Sequence, residues 1–237
     1  MPRIPLIEDL TKGPIPPGNQ LLVEYDPSSQ WYNASSSIAA GWVKTGGTVA
    51  YNANVQTPTQ IRLQLHRLGL NVEELERDNK LQIFDWYTTS LGQKSKEKYF
   101  MESLKVHDLS VEYLKEDMQQ PADPNVLIIG DSASVLARFN EEKAWVEFFL
   151  TRSIPAQIRT MRTTIRGLLK GAHSEWAYKQ LEGASDGIID FRLEETADKV
   201  GEEARSMMRI RFMKNVGFDA RWHSLRVADN LEVTLAE

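Results

Sequence analysis

Apolar positions along this chain follow two alternating rhythms, and their alternation marks out the elements. The short run Leu21-Leu22-Val23-Glu24-Tyr25 predicts a strand, and turn residues from Asp26 to Ser29 end it. A helix is expected from about Trp31 to Lys44, because Ala34, Ile38 and Trp42 fall at i, i+4 and i+8 and Gly46-Gly47 closes the stretch. Residues 48–51 read as a second strand. Thr57-Pro58 then offers an N-cap with proline at the first helical position, Ile61, Leu65 and Leu68 supply the buried stripe, and Gly69 stops the helix. Asn71 with Glu74 resembles a second capping pair. Residues 81–84 make a third strand, and the polar stretch 88–120 predicts helix and loop over the sheet.

Asn125-Val126-Leu127-Ile128-Ile129-Gly130 is an unbroken apolar run, as expected of a central parallel strand covered on both faces. A helix from about Asn140 carries Trp145, Phe148 and Phe149 until Pro155 interrupts it. Strands are predicted at 163–169, 186–192, 206–213, 222–227 and 231–235. The last three lie too close together for intervening helices, so the chain is expected to end in an antiparallel meander. The first 19 residues, rich in proline and glycine, read as a turn leading to the first strand. The whole predicts one α/β domain over residues 1–237: a mainly parallel central β-sheet flanked by helices, with a C-terminal antiparallel meander.

Composition narrows the chemistry. With 237 residues, 41% hydrophobic and 26% charged, the chain can bury a substantial core. The absence of cysteine excludes disulfides, thiolate catalysis and cysteine-ligated metal. The histidines His66, His107, His173 and His223 show no HxH or HExxH spacing, so no metal site is expected. A net charge of −5 gives no global attraction for nucleic acid. No segment reaches the roughly 20 apolar residues of a membrane span, and the opening MPRIPLIEDL lacks a signal-peptide core; a cytoplasmic protein off the membrane is expected.

Gly13-Pro14-Ile15-Pro16-Pro17-Gly18, the strand from Lys80 to Asp85, NVLIIGDS from Asn125 to Ser132, the strand from Ala184 to Ile189 and residues 208–214 resemble, in that order, motifs of the KaiC-like members of the RecA superfamily of ATPases. Gly13-Pro14-Ile15-Pro16-Pro17-Gly18 is similar to that family's GGIPxG opening, and Lys80-Leu81-Gln82-Ile83-Phe84-Asp85 to its GKL-x-I-x-D strand. NVLIIGDS, from Asn125 to Ser132, looks like its Walker B strand with the terminal Asp-Ser pair. Ala184-Ser185-Asp186-Gly187-Ile188-Ile189 is similar to the later A-D-G-V-I strand, and 208–214 resembles the strand that carries the KMR motif. The resemblance implies a RecA-like fold and, in active members, ATP bound by a GxxGxGK[ST] loop.

On that alignment the loop reads Tyr25-Asp26-Pro27-Ser28-Ser29-Gln30-Trp31-Tyr32. Tyr25 and Gln30 stand where glycines belong, Trp31 where the lysine belongs and Tyr32 where a Ser/Thr would hold magnesium. Glycines let successive backbone N–H groups curl round the β-phosphate, and the lysine neutralises the β/γ oxygens. Trp31 carries no charge, and Asp26 adds a negative one beside a polyanion. The Glu-Glu pair that the family places after the second strand is replaced by Tyr51-Asn52-Ala53-Asn54, and KMR becomes Phe212-Met213-Lys214. Phosphoryl transfer rests on positioning and charge stabilisation, and one lost donor costs on the order of 10²–10³ in rate, so no hydrolysis and no bound cofactor are expected.

The remaining candidates have two readings each. Asp131 and Ser132 are either a remnant magnesium-side pair or, for Asp131, a strand-end turn cap, the preferred reading. Trp31 and Tyr32 read equally as an exposed anchor for a partner and as filling of the vacated pocket. Arg159, Arg162, Arg166 and Lys170 form a basic run that reads as a nucleic-acid contact or, preferably, as a solvated face offset by Glu194-Glu195 and Glu202-Glu203. Asp85 ends a strand on the side where open α/β sheets bind ligands and reads either as part of such a site or, preferably, as a turn cap. Ser132 with His173 suggests a hydrolase only weakly, since no serine has a G-x-S-x-G elbow. The expectation is a non-hydrolysing KaiC-like protein that binds a protein partner as a regulator or scaffold in signalling, with homo-oligomer formation open. The alternatives are a nucleotide sensor without hydrolysis and a recombinase-paralogue-like binder of single-stranded DNA.

Overall fold

The computed structural model describes residues 2–117, 121–194 and 204–236. The first half of the chain gives β1 (Gln20–Tyr25), α1 (Trp31–Lys44), β2 (Thr48–Ala53), α2 (Pro58–Arg67), α3 (Val72–Arg77) and β3 (Leu81–Asp85). Then come α4 (Tyr87–Ser90), β4 (Tyr99–Phe100), α5 (Val106–Asp117), β5 (Val126–Gly130), α6 (Ser134–Ala137) and α7 (Glu142–Phe148). A π-helical turn (Phe149–Ser153) leads into α8 (Ile154–Arg159). The last elements are β6 (Thr163–Leu169), α9 (Glu175–Gly183), β7 (Gly187–Glu194), β8 (Arg205–Met213), β9 (His223–Val227) and β10 (Val233–Leu235).

All ten strands join one sheet in the order β10-β9-β8-β7-β1-β6-β5-β2-β3-β4. Pairing is parallel from β7 through β4, and antiparallel from β7 to β10, so the expected α/β sheet with its terminal meander is what forms. One face packs α1, α2 and α3 through Ile38, Ile61, Leu65 and Val72. The other packs α5 through α9, with Leu109, Trp145, Phe149, Ile154 and Leu181 at the centre. Local signals act as expected at α2, where Thr57 and Gln60 make a reciprocal capping box, and at α3, where Asn71 accepts the Glu74 N–H.

Three expectations need correction. The opening residues are more than a turn: Ile4, Leu6, Ile7, Leu10 and Ile15 are buried in the main core. Pro155 does not end its helix. The π-helical turn shifts the hydrogen-bonding register just before it, so proline falls in the first turn of α8, where its missing N–H costs nothing. Finally, β5 is buried on one face only; Val126 and Ile128 are half-buried on the other.

Candidate functional site

The loop after β1 is built as a closed turn. The Asp26 N–H donates to the Phe191 carbonyl (3.1 Å) at the neighbouring strand, and the Ser29 N–H and hydroxyl both donate to the Asp26 carbonyl (3.0 and 2.7 Å). α1 begins directly at Trp31 without a side-chain cap. Trp31 is fully buried, and its indole N–H donates to the backbone carbonyl of Asp131 at the end of β5 (2.8 Å). Its ring packs between Phe191 (centroids 5.5 Å apart) and Tyr25 (6.3 Å). Trp31 is therefore core, and the anchor reading does not hold for it; Tyr32 is half-buried against the same cluster.

This packing requires Gly167 on β6. A Cβ there would lie 2.3 Å from the Asp131 carbonyl oxygen and 2.6 Å from the Trp31 indole nitrogen. Beyond the indole runs a chain of hydroxyls: Tyr32 donates to Tyr25 (3.0 Å), which donates to Ser132 (2.8 Å). Nearby, Tyr51 and Ser35 hydroxyls bond at 2.7 Å. Burial pushes the Tyr25, Tyr32 and Tyr51 phenols up from their ordinary value, so all three remain protonated and neutral. Neutral hydroxyls and rings therefore line this turn. Lys170, beside the turn, lies between Asp26 (3.9 Å) and Asp190 (3.8 Å).

Asp131 is wholly buried, and its carboxylate does more than meet the Ser132 N–H of its own turn. It reaches across to the loop after β2 and accepts the N–H groups of Asn54 (2.9 Å), Val55 (3.2 Å to each oxygen) and Gln56 (3.0 Å). Desolvation pushes its pKa up to about 6, against the opposing effect of those N–H donors. The carboxylate thus clamps one strand end to another. That role is invisible in the sequence because it depends on β5 lying beside β2.

The other candidates separate. Arg166 is buried on β6, its guanidinium bonded to Gln157 Oε1 (3.0 Å) and set over the Phe149 ring (4.7 Å). Arg162 and Lys170 flank opposite ends of β6, roughly 25 Å apart at a strand's rise per residue, so the basic run does not form one surface. Of the acids expected to offset it, Glu195, Glu202 and Glu203 lie outside the described residues, and Glu194 pairs with Arg192 (2.8 Å). Lys214 bonds Asp186 within the chain (3.3 Å), and Phe212 is exposed. Asp85 caps its turn, accepting the Thr88 N–H (2.9 Å) and the Ser95 hydroxyl (2.6 Å). His173 bonds Ser134 rather than Ser132 (2.8 Å) and stacks on Trp145 (4.5 Å). Among the described residues no group of three His, Asp or Glu could hold a metal, and no helix is long and apolar enough to cross a membrane.

Sequence reasoning missed an ionic network on the face of β1, β7 and β8. Arg211 contacts Glu24 (2.6 Å), Glu182 (3.0 Å) and Asp190 (3.6 Å), while Arg209 bonds Asp190 (2.8 Å). Burial first, and then a hydrogen bond with Glu182, pushes Glu24 up to about 7. The visible signal was Glu24 itself, a lone acid inside the apolar run of β1.

Comparison with known proteins sets this geometry in context. The family model described as "ATPase: KaiC" matches residues 3–235. UPF0273 proteins of Aeropyrum pernix and Thermotoga maritima are each 24% identical, over 95% of this chain and 89% and 91% of their own lengths. Among solved structures, a KaiC-like protein of Pyrococcus horikoshii superposes with a TM-score of 0.73, and the flagellar accessory protein FlaH of Methanocaldococcus jannaschii with 0.70. Both are 15% identical; each alignment covers all of this chain and 97% or 99% of the other.

Proposed function

Because this chain belongs to the KaiC family of ATPases, we propose that it is a non-hydrolysing member, one that acts by binding a protein partner as a regulator or scaffold in signalling. The observation that carries the reading is Trp31: where active relatives are expected to place the phosphate-binding lysine, a fully buried indole is bonded to the Asp131 carbonyl and sealed by Tyr25 and Phe191. A polyphosphate needs cations and converging N–H groups. The loop offers neutral phenols, an acid and an N–H already donated to Phe191. The Asp131 carboxylate, which would face magnesium, is occupied by the 54–56 backbone. With positioning and charge both missing from the described loop, little is left there to stabilise a phosphoryl transition state.

Calorimetric titration with Mg-ATP and a slowly hydrolysed analogue, alongside a phosphate-release assay, tests the reading. Neither saturable binding nor turnover is expected. Sustained phosphate release would sink it, and binding without release would put a nucleotide sensor in its place.

A further inference from the structure

On the Glu24 side of the sheet the helical layer packs over β1 and β6 through Leu22 and Leu168, but its apolar core takes no side chain from β7 to β10 among the described residues. Antiparallel strands can carry such a solvated face, and here it is basic. Glu24 pairs with Asp190, Asp190 with Arg209 and Arg192 with Met207, so the register brings Arg192, Arg205 and Arg209 to this side. Met207 pairs in turn with Ser224, whose hydroxyl meets its sulfur (3.3 Å), which adds Trp222 and Arg226 from the next strand. The four strands carry five arginines, no lysine and two acids, on a chain whose net charge is −5.

Arg211 is engaged by the ionic network described above; the other four arginines keep donors to spare. Arg192 and Arg209 lie over the Trp222 ring, with guanidinium carbons 4.0 and 4.5 Å from its centre, so the indole holds both forks in place. Arg192 bonds Glu194 through one amino group and Arg209 bonds Asp190 through Nε (both 2.8 Å), and most of each guanidinium stays available. Arg205 and Arg226 are exposed and make no ion pair among the described residues. The register that pairs Met207 with Ser224, continued by two residues, sets them opposite each other, where like charges repel. An anion lying between them relieves that repulsion. Arginine forks match carboxylates and phosphates. The indole is already engaged by two guanidinium groups, so it does not offer a base the bare ring that single-strand binding uses, and carboxylates are the better fit. Arg205 and Arg209 stand four residues apart on β8, roughly 13 Å, a span that an extended acidic peptide matches.

We propose that this face docks a segment rich in glutamate and aspartate from a partner protein, its carboxylates taken by Arg192, Arg205, Arg209 and Arg226. The assignment rests on the partner-binding role proposed above and gives that partner its chemistry. A fluorescein-labelled decamer of glutamate is titrated against the full chain by fluorescence anisotropy, beside a labelled oligothymidine of the same length. At about 50 mM salt the peptide should bind saturably with a Kd below about 100 µM, and more weakly at about 300 mM. Arg205→Glu with Arg226→Glu should weaken it about ten-fold or more, whereas Arg67→Glu, at the exposed end of α2, should change it less than about two-fold. Arg205→Lys with Arg226→Lys keeps the charge but not the forks, and should weaken binding about three-fold or more. Circular dichroism and the melting temperature confirm that each variant folds. The assignment is overturned by a lack of saturable binding, by equal weakening in Arg67→Glu, or by full binding in the lysine pair. Tighter binding of oligothymidine overturns it in favour of a nucleic-acid surface. Self-association in sedimentation that is lost in the glutamate pair overturns it in favour of a second copy of this chain. Phosphate release from Mg-ATP would remove the non-hydrolysing reading and leave the peptide result standing, so the two failures are distinguishable.

Discussion

Replacing Trp31 by alanine removes the largest side chain sealing the loop after β1. Truncating a buried tryptophan costs about 3–5 kcal/mol through lost transfer energy and the cavity left behind. The Asp131 carbonyl also loses its indole donor, and an unsatisfied buried acceptor adds about 1–3 kcal/mol. A loss of about 4–8 kcal/mol follows, large beside the 5–15 kcal/mol or so that holds a typical domain together. At about 2–4 °C per kcal/mol for a chain of this size, the melting temperature should fall by roughly 8–32 °C. Thermal and urea denaturation followed by circular dichroism measure this directly. Added indole should recover part of it, about 1.4 kcal/mol when the free ligand is about ten times its Kd. A loss under about 1 kcal/mol would refute the reasoning, because the indole could then not be the packed plug that the ring distances describe. Mg-ATP should bind the variant no better than the parent, since the vacated space gains neither a lysine nor a glycine turn.

Three further outcomes are expected. Gly167→Ala forces its new methyl against the Asp131 carbonyl and the indole nitrogen, and should destabilise by about 1–3 kcal/mol in urea melts, with a shifted tryptophan emission; an unchanged midpoint would count against this close approach. Asp131→Ala leaves the N–H groups of 54–56 without their acceptor and should cost at least about 3 kcal/mol, with faster amide exchange confined first to those three residues; uniform exchange would oppose the clamp. Glu24 has its folded-state pKa raised from 4.5 to about 7, so the stability linked to its proton is fully present below pH 4.5 and is lost as pH rises to 7. Glu24→Gln should flatten the fall of the denaturation midpoint across that window, and an identical slope in both proteins would remove Glu24 as its source.

How much of this was legible beforehand depended on how local each signal is. The helix from Trp31 to Lys44 and the capped helix after Thr57 could be read because spacing, cap and stop all lie within a dozen residues. α9 was equally readable and was passed over: Ser174 caps it, accepting the Ala177 N–H, and Ala177 and Leu181 sit four apart on its buried face. The departures of the loop from a phosphate-binding pattern were visible residue by residue, but the destination of Trp31 was not. Its burial depends on Phe191, Asp131 and Gly167, which come together only through the strand order β7-β1-β6-β5. The same holds for the Asp131 clamp and for the dispersal of the basic run, in which Arg166 is buried while Arg162 and Lys170 flank opposite ends of β6. The apolar run of β5 reads identically whether one face or two are covered, so its open side could not have been foreseen.

The close approach of Gly167, Trp31 and the Asp131 carbonyl also bears on how this sequence can change. A lysine introduced at position 31 would put its ammonium into a dry box of aromatic rings, where desolvation disfavours the charge it was meant to supply. Glycine at position 25 would open a void before any phosphate could use it, and clearing the Asp131 carboxylate would first require the 54–56 loop to find other acceptors. Each step toward a phosphate-binding loop is therefore uphill until the others have been taken. The seal works as a ratchet: substitutions that would each be tolerated in an open loop are mutually dependent here, and single-residue drift holds this chain on its present side.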